Sequence, residues 1–94
     1  MPERDTAVTD CLREASSAQF DRWMGLAAEN IDEWGYQDEE TLLLALQEEL
    51  GELTQAYLEA RSEGAAPKRV DEELDDLGAL LIQFQEVRNR GESA

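Results

Sequence analysis

Proline stands at positions 2 and 67 and nowhere else in this 94-residue chain. A proline inside a helix removes a donor and clashes with the turn before it, so its absence leaves the long interior free to be helical. Glycine then decides where helices stop, and Gly35 and Gly64 each follow a stretch of helical periodicity. From about Thr9 to Trp34, the residues Phe20, Trp23, Ala27, Ile31 and Trp34 recur at spacings of three and four, the period of one helix face. Ser16 with Gln19 has the form of a capping box, which predicts a break near Ser16-Ser17. Gly35 is expected to close this helix and Asp38 to cap the next. The second helix is expected from about Glu39 to Ser62, with a seam of Leu46, Leu50, Leu53, Tyr57 and Ala60. Pro67 suits the first turn of a third helix, whose Val70, Leu74, Leu77, Leu81 and Phe84 keep the same rhythm. Gly91 and the polar tail Glu92-Ser93-Ala94 should end it, with residues 1–8 and 91–94 frayed. No alternation long enough for a strand occurs.

The expected fold is therefore all-α, an antiparallel helical hairpin plus an N-terminal helix in one domain spanning 1–94. Heptad-like seams on two helices of so short a chain predict a bundle completed by homo-oligomerisation, as a homodimer or homotetramer.

Charge narrows the partners. The chain has 23 Asp and Glu against 8 Lys and Arg, a formal net charge of −15. Such a surface repels nucleic-acid backbones and anionic membranes, so neither is expected as a partner. A phosphate-bearing ligand needs a divalent cation between itself and the carboxylates. Lys68 is the single lysine, and an acid-rich, lysine-poor surface suits a cytoplasm of high salt, where screening removes self-repulsion; an ordinary acidic protein is the alternative. Histidine is absent and Cys11 is the only cysteine, so a Cys-based zinc site and an internal disulfide are both excluded. Cys11 itself is expected to be a small buried or half-buried residue. Met1-Pro2-Glu3-Arg4-Asp5 is no signal segment, and the apolar runs Leu42 to Leu46 and Leu77 to Ile82 are too short to span a membrane, so a soluble cytoplasmic protein is expected.

Carboxylates are the dense chemical resource, and they are patterned. Helix two carries Glu48-Glu49-Leu50-Gly51-Glu52-Leu53, and helix three carries Glu72-Glu73-Leu74-Asp75-Asp76-Leu77. Residues three apart share a helix face, with Cβ atoms about 5–6 Å apart, so Glu49 with Glu52 and Glu73 with Asp76 form two jaws. In an antiparallel hairpin, pairing Glu49 with Asp76 and Glu52 with Glu73 keeps one register, with the turn centred at 62–63. Helices about 8–10 Å apart then let the four side chains converge on one or two cations. An oxygen-only set without His selects magnesium, or manganese in its place. Glu48, Glu72 or Asp75 is then placed to orient or deprotonate a water. Isolated carboxylate pairs usually mark a solvated helix face. Here the rows are not purely polar, since Leu42, Ala45 and Ala56 flank the first pair and Leu80 and Val87 continue the second. Gly51 and Gly78 sit beside the acids at a cost of about 1 kcal/mol each relative to Ala, which points to close packing or to room for a ligand.

At these residues the chain resembles the MazG-type family of the all-α NTP pyrophosphatase superfamily. The stretch from Leu42 to Leu53 looks like its apolar run leading into E-x-x-E, and Glu72 to Leu77 looks like its downstream E-x-x-D element. The resemblance covers about Leu42 to Ile82. It implies that Glu49, Glu52, Glu73 and Asp76 ligate magnesium, that a nucleoside triphosphate is cleaved to the monophosphate and pyrophosphate, and that oligomerisation completes the bundle. The chain departs where family members often carry His-x-Pro-x-Asn, reading Tyr36-Gln37-Asp38-Glu39-Glu40-Thr41 instead. It also lacks the Tyr-His pair of the related phosphoribosyl-ATP pyrophosphohydrolases, having Gly78-Ala79-Leu80 there. Trp34, Tyr36 and Trp23 offer faces for a base to stack on, or are core. Lys68 and Arg69 are candidates for phosphate contact, or are solvated. A phosphoribosyl-ATP enzyme and a non-catalytic acidic module for dimerisation or binding remain the alternatives.

Overall fold

The computed structural model describes residues 2–62, 64 and 66–93, with side chains over 6–62, 64 and 66–91. They form three helices: α1 (Pro2–Trp34), α2 (Glu39–Ser62) and α3 (Lys68–Ser93). No strand occurs among the described residues. Gly35 ends α1 in the left-handed region, φ +79°, and its N–H donates to the Ile31 carbonyl at 2.7 Å. Asp38 caps α2, its Oδ1 accepting from the Thr41 N–H at 2.8 Å, and that bond holds its carboxyl below the ordinary range. Gly64 follows α2 with φ +70°. Pro67 stands just outside α3 rather than in its first turn; its carbonyl accepts from the Val70 N–H at 3.0 Å.

Three boundary expectations need restating. The break near Ser16-Ser17 does not occur, and α1 is continuous. No Gly or Pro lies between residues 3 and 24, and the Gln19 side chain donates across to Asp75 instead of closing a box on Ser16. Gly91 does not stop α3, which runs on to Ser93 without a left-handed residue. Glu63, half of the expected turn centre, lies outside the described residues, as do the outermost residues Met1 and Ala94.

The helices pack around α3. Ion pairs join Glu59 to Arg69 at 3.1 Å and Glu39 to Arg88 at 3.2 Å, so late α2 meets early α3 and the hairpin is antiparallel. Gln19, Arg22 and Trp23 meet Asp75, whereas Asn30 meets Gln83 further along, so α1 runs parallel to α3. Among the described residues α1 and α2 each pack on α3 and not on one another. A cleft floored by α3 is the result.

The molecule is flat, 47 × 39 × 20 Å, and its core is thin. Among the described residues, Ala27, Leu42, Ala56 and Ala79 are the buried apolar ones, and Leu42 is the large side chain fully enclosed. Small residues let the backbones approach. At Gly78 a Cβ would fall 2.2 Å from Trp23 Cδ2, so close packing accounts for that glycine, whereas Gly51 has open space beside it. The α1 stripe is interior only from Trp23 to Ile31; Phe20 and Trp34 are exposed. Of the two seams, Leu50, Tyr57, Leu74 and Leu81 are exposed. Cys11, expected buried or half-buried, lies exposed, as does every residue of α1 from Thr6 to Ala15. Among the described residues, no helix is long and apolar enough to cross a membrane.

Candidate metal centre

The row that sequence periodicity puts beside the acids is the row that α2 turns toward α3. Leu42 and Ala56 are buried at its ends, with Ala45 and Glu49 half-buried between them. Glu73 is half-buried on the facing side. Carboxylate oxygens of Glu49, Glu52 and Glu73 lie within 4.8 Å of one another. Asp76, one helical turn beyond Glu73, stands next to this triad and lines a cavity together with Glu49.

Acid clusters on helix surfaces are ordinarily hydrated. Two oxygens here are not: Glu49 Oε2 and Glu73 Oε2 are buried without a hydrogen-bond partner. A buried oxygen left unpaired costs about 1–3 kcal/mol, so it is normally matched by a donor or an ion. The charges respond. Burial, then the hydrogen bond with Glu73, then the charges of Glu52, Asp76 and Glu73 push the Glu49 carboxyl up to about 8. The bond between the two carboxyls exists only while Glu49 is protonated; with Glu49 ionised, neither buried oxygen has a donor. Partial burial, followed by the charges of Asp75, Glu52 and Glu72, raises Asp76 as well. Arg69 is a weak counter-charge: its Nε is 3.9 Å from Glu73, while its Nη1 lies 3.1 Å from Glu59, away from the cluster.

Asp75 has the opposite surroundings. It is buried against α1, where it accepts from Trp23 Nε1 at 3.0 Å, from Arg22 Nη1 at 3.1 Å and from the Gln19 amide. The role of water-orienting acid offered for it in the sequence is overturned, because its oxygens face away from the hairpin and are already engaged.

The adjoining cavity measures about 450 Å³, within the ordinary range for a small-molecule site. Glu48, Glu49 and Asp76 form its acidic side and Ala45 and Leu80 an apolar strip. The rest of the lining is made of amides, Asn30, Gln37 and Gln83, with Trp34. These elements meet because α1 and α2 diverge across α3 and leave the cleft open.

Of the residues singled out from sequence, Glu49, Glu52 and Glu73 come together, and Asp76, Glu48 and Trp34 adjoin them. Glu72 is exposed and acts on the site only as a charge beside Asp76. Lys68 is exposed at the start of α3 and Tyr36 lies under the Arg90 guanidinium, 4.0 Å from its ring centre; neither lines the cavity. Trp23 is packing and not a stacking face. The amides were missed. Their signal is polar residues inside apolar rows, Asn30 three after Ala27 and Gln83 within Leu80-Leu81-Ile82-Gln83-Phe84.

An all-oxygen, His-free donor set with two unpartnered buried oxygens fits a hard divalent cation such as Mg²⁺. No family model matches the chain, and no curated protein and no solved structure matches it either.

Proposed function

We propose that the protein is a magnesium-dependent nucleoside triphosphate pyrophosphohydrolase of the MazG type, releasing pyrophosphate and a nucleoside monophosphate. The observation that carries this reading is the pair of unpartnered oxygens on Glu49 and Glu73, set in an all-carboxylate cluster that opens on a ligand-sized cavity. Glu49, Glu52, Glu73 and Asp76 are the residues that would hold Mg²⁺, with Mn²⁺ as a substitute. Bound there, the ion neutralises phosphate charge and withdraws electron density from phosphorus.

The chain's own groups do the rest. The carboxylates exclude an unaccompanied polyphosphate by repulsion, which makes cleavage dependent on the cation. Glu48, exposed on the cavity wall, accepts the proton of the attacking water as its oxygen bonds to phosphorus; the α–β phosphoanhydride bond breaks and pyrophosphate leaves with the bridging oxygen. Glu72 serves through its charge on Asp76. The exposed seam of Leu50, Tyr57, Leu74 and Leu81 supports a homodimer or homotetramer as the working form.

The test is pyrophosphate release over a panel of NTPs and dNTPs, with and without Mg²⁺, at low and molar KCl. Magnesium-dependent release that disappears in Glu49→Gln bears the proposal out. Silence across the panel, from protein that is folded in the same buffer, leaves a non-catalytic acidic module as the reading.

A further inference from the structure

The amide side of the cavity has a hydrogen-bonding polarity of its own. Asn30 Nδ2 donates to Gln83 Oε1 at 2.8 Å. Gln83 is 4% exposed, and its oxygen is engaged by Asn30. The bond between the two amides leaves Asn30 Oδ1 as an acceptor and Gln83 Nε2 as a donor, on two residues that both line the cavity. Trp34, 67% exposed at the same cavity, adds an aromatic face that the fold does not use.

We infer that this cavity receives the planar heterocycle of a nucleoside, stacked on Trp34, and reads an edge that presents one donor and one acceptor side by side. The inference rests on the proposal that the neighbouring carboxylates hold the cation for the phosphates, since Glu49 borders both. Other occupants fit less well. An ammonium or polyamine suits the carboxylates and the indole, but it offers donors only and leaves Gln83 Nε2 without an acceptor. A purely apolar ring strands both amides. A lactam or aminopyridine-like edge, as nucleobases carry, satisfies both groups at once.

The heterocycle and the cation sites can be separated experimentally. Adenosine, guanosine, cytidine and uridine carry no phosphate, so each is titrated calorimetrically into the whole protein without metal. At least one should bind, and Trp34→Ala should weaken it about tenfold, the scale of one stacking contact. Its analogue methylated on the edge nitrogen should fail to bind. Asn30→Asp replaces the donor to Gln83 with an acceptor, which turns the Gln83 amide and presents its oxygen to the cavity. That variant should lose the preferred nucleoside while keeping its helical circular dichroism, a change that a merely structural role would not confine to one ligand. Three results overturn the inference: no nucleoside binds; binding is untouched by Trp34→Ala and Asn30→Asp; or spermidine binds in a Trp34-dependent way and the nucleosides do not. If nucleosides bind but Mg²⁺ does not, the base pocket stands and the hydrolase proposal falls.

Discussion

Asp75 and its neighbours Glu73 and Asp76 lie on one helix, yet α3 sends them into opposite situations. Toward α1, the Asp75 carboxylate meets an indole N–H, a guanidinium and an amide, and its hydrogen-bonding capacity is used. Toward α2, Glu73 meets Glu49 and Glu52, Asp76 adds its charge beside them, and with Glu49 ionised two buried oxygens have no donor. The first face is what a helix contact looks like when it is built to hold. The second gathers like charges, and burial together with those charges raises the Glu49 carboxyl. Charge alone distinguishes nothing here; what each carboxylate is given as a partner does.

The largest effect is expected where the satisfied face is broken. Asp75→Ala strands Trp23 Nε1, Arg22 and Gln19 together and should cost about 3 kcal/mol in denaturant unfolding. Loss under 1 kcal/mol would mean that α1 does not depend on this contact. Gly78→Ala should cost about 2 kcal/mol, because the added methyl overlaps the Trp23 ring and the ring is fixed by its bond to Asp75. Combined with Trp23→Leu the penalty at Gly78 should largely vanish, and a strictly additive double mutant would contradict that.

These contacts also mark where reading the sequence reaches its limit. The ends of α2 at Glu39 and Ser62, the Asp38 cap and the Gly35 stop were legible because local chemistry decides them. That Glu49 and Glu52 would come against Glu73 was legible from two matched i/i+3 pairs, but the register was not: a turn centred at 62–63 is ruled out by α2 running to Ser62, and Glu59 pairs with Arg69. The placement of α1 was not. Its continuity past Ser16 and its parallel course depend on Gln19, Arg22 and Trp23 finding Asp75 more than fifty residues away, and no local pattern encodes that. Asp75 and Asp76 are adjacent acids in the sequence, and only the position of α1 tells them apart. The amide side of the cavity was hidden for the same reason, since Asn30 and Gln83 come from helices whose contact is long-range.

A smaller effect separates the two faces by pH. Glu49 is raised to about 8 in the folded chain, against 4.5 for an ordinary glutamate, so the folded state binds the extra proton. Its stabilising contribution is whole below pH 4.5 and fades as pH climbs through 8; Asp76 is raised too and shifts stability in the same direction. Metal-free protein should therefore lose stability between pH 6 and pH 9, and Glu49→Gln should flatten that slope. The variant should match the wild type only near pH 4 and pull ahead as pH rises, exceeding it at pH 9 by under about 1 kcal/mol. Equal slopes in the two proteins would place the proton elsewhere.

The central claim is that the unpaired face is a cation site, and thermal unfolding against Mg²⁺ reaches it most directly. Wild type and Glu49→Gln are melted in metal-free buffer with rising MgCl2, the ionic strength held constant with KCl. A ligand at a hundredfold excess over its Kd adds about 2.7 kcal/mol, which for a domain this size raises Tm by about 10–20 °C. The account predicts a saturable rise of that order in the wild type and almost none in Glu49→Gln. A flat wild-type profile, or the same rise in both proteins, would contradict it and return the four carboxylates to an acidic surface.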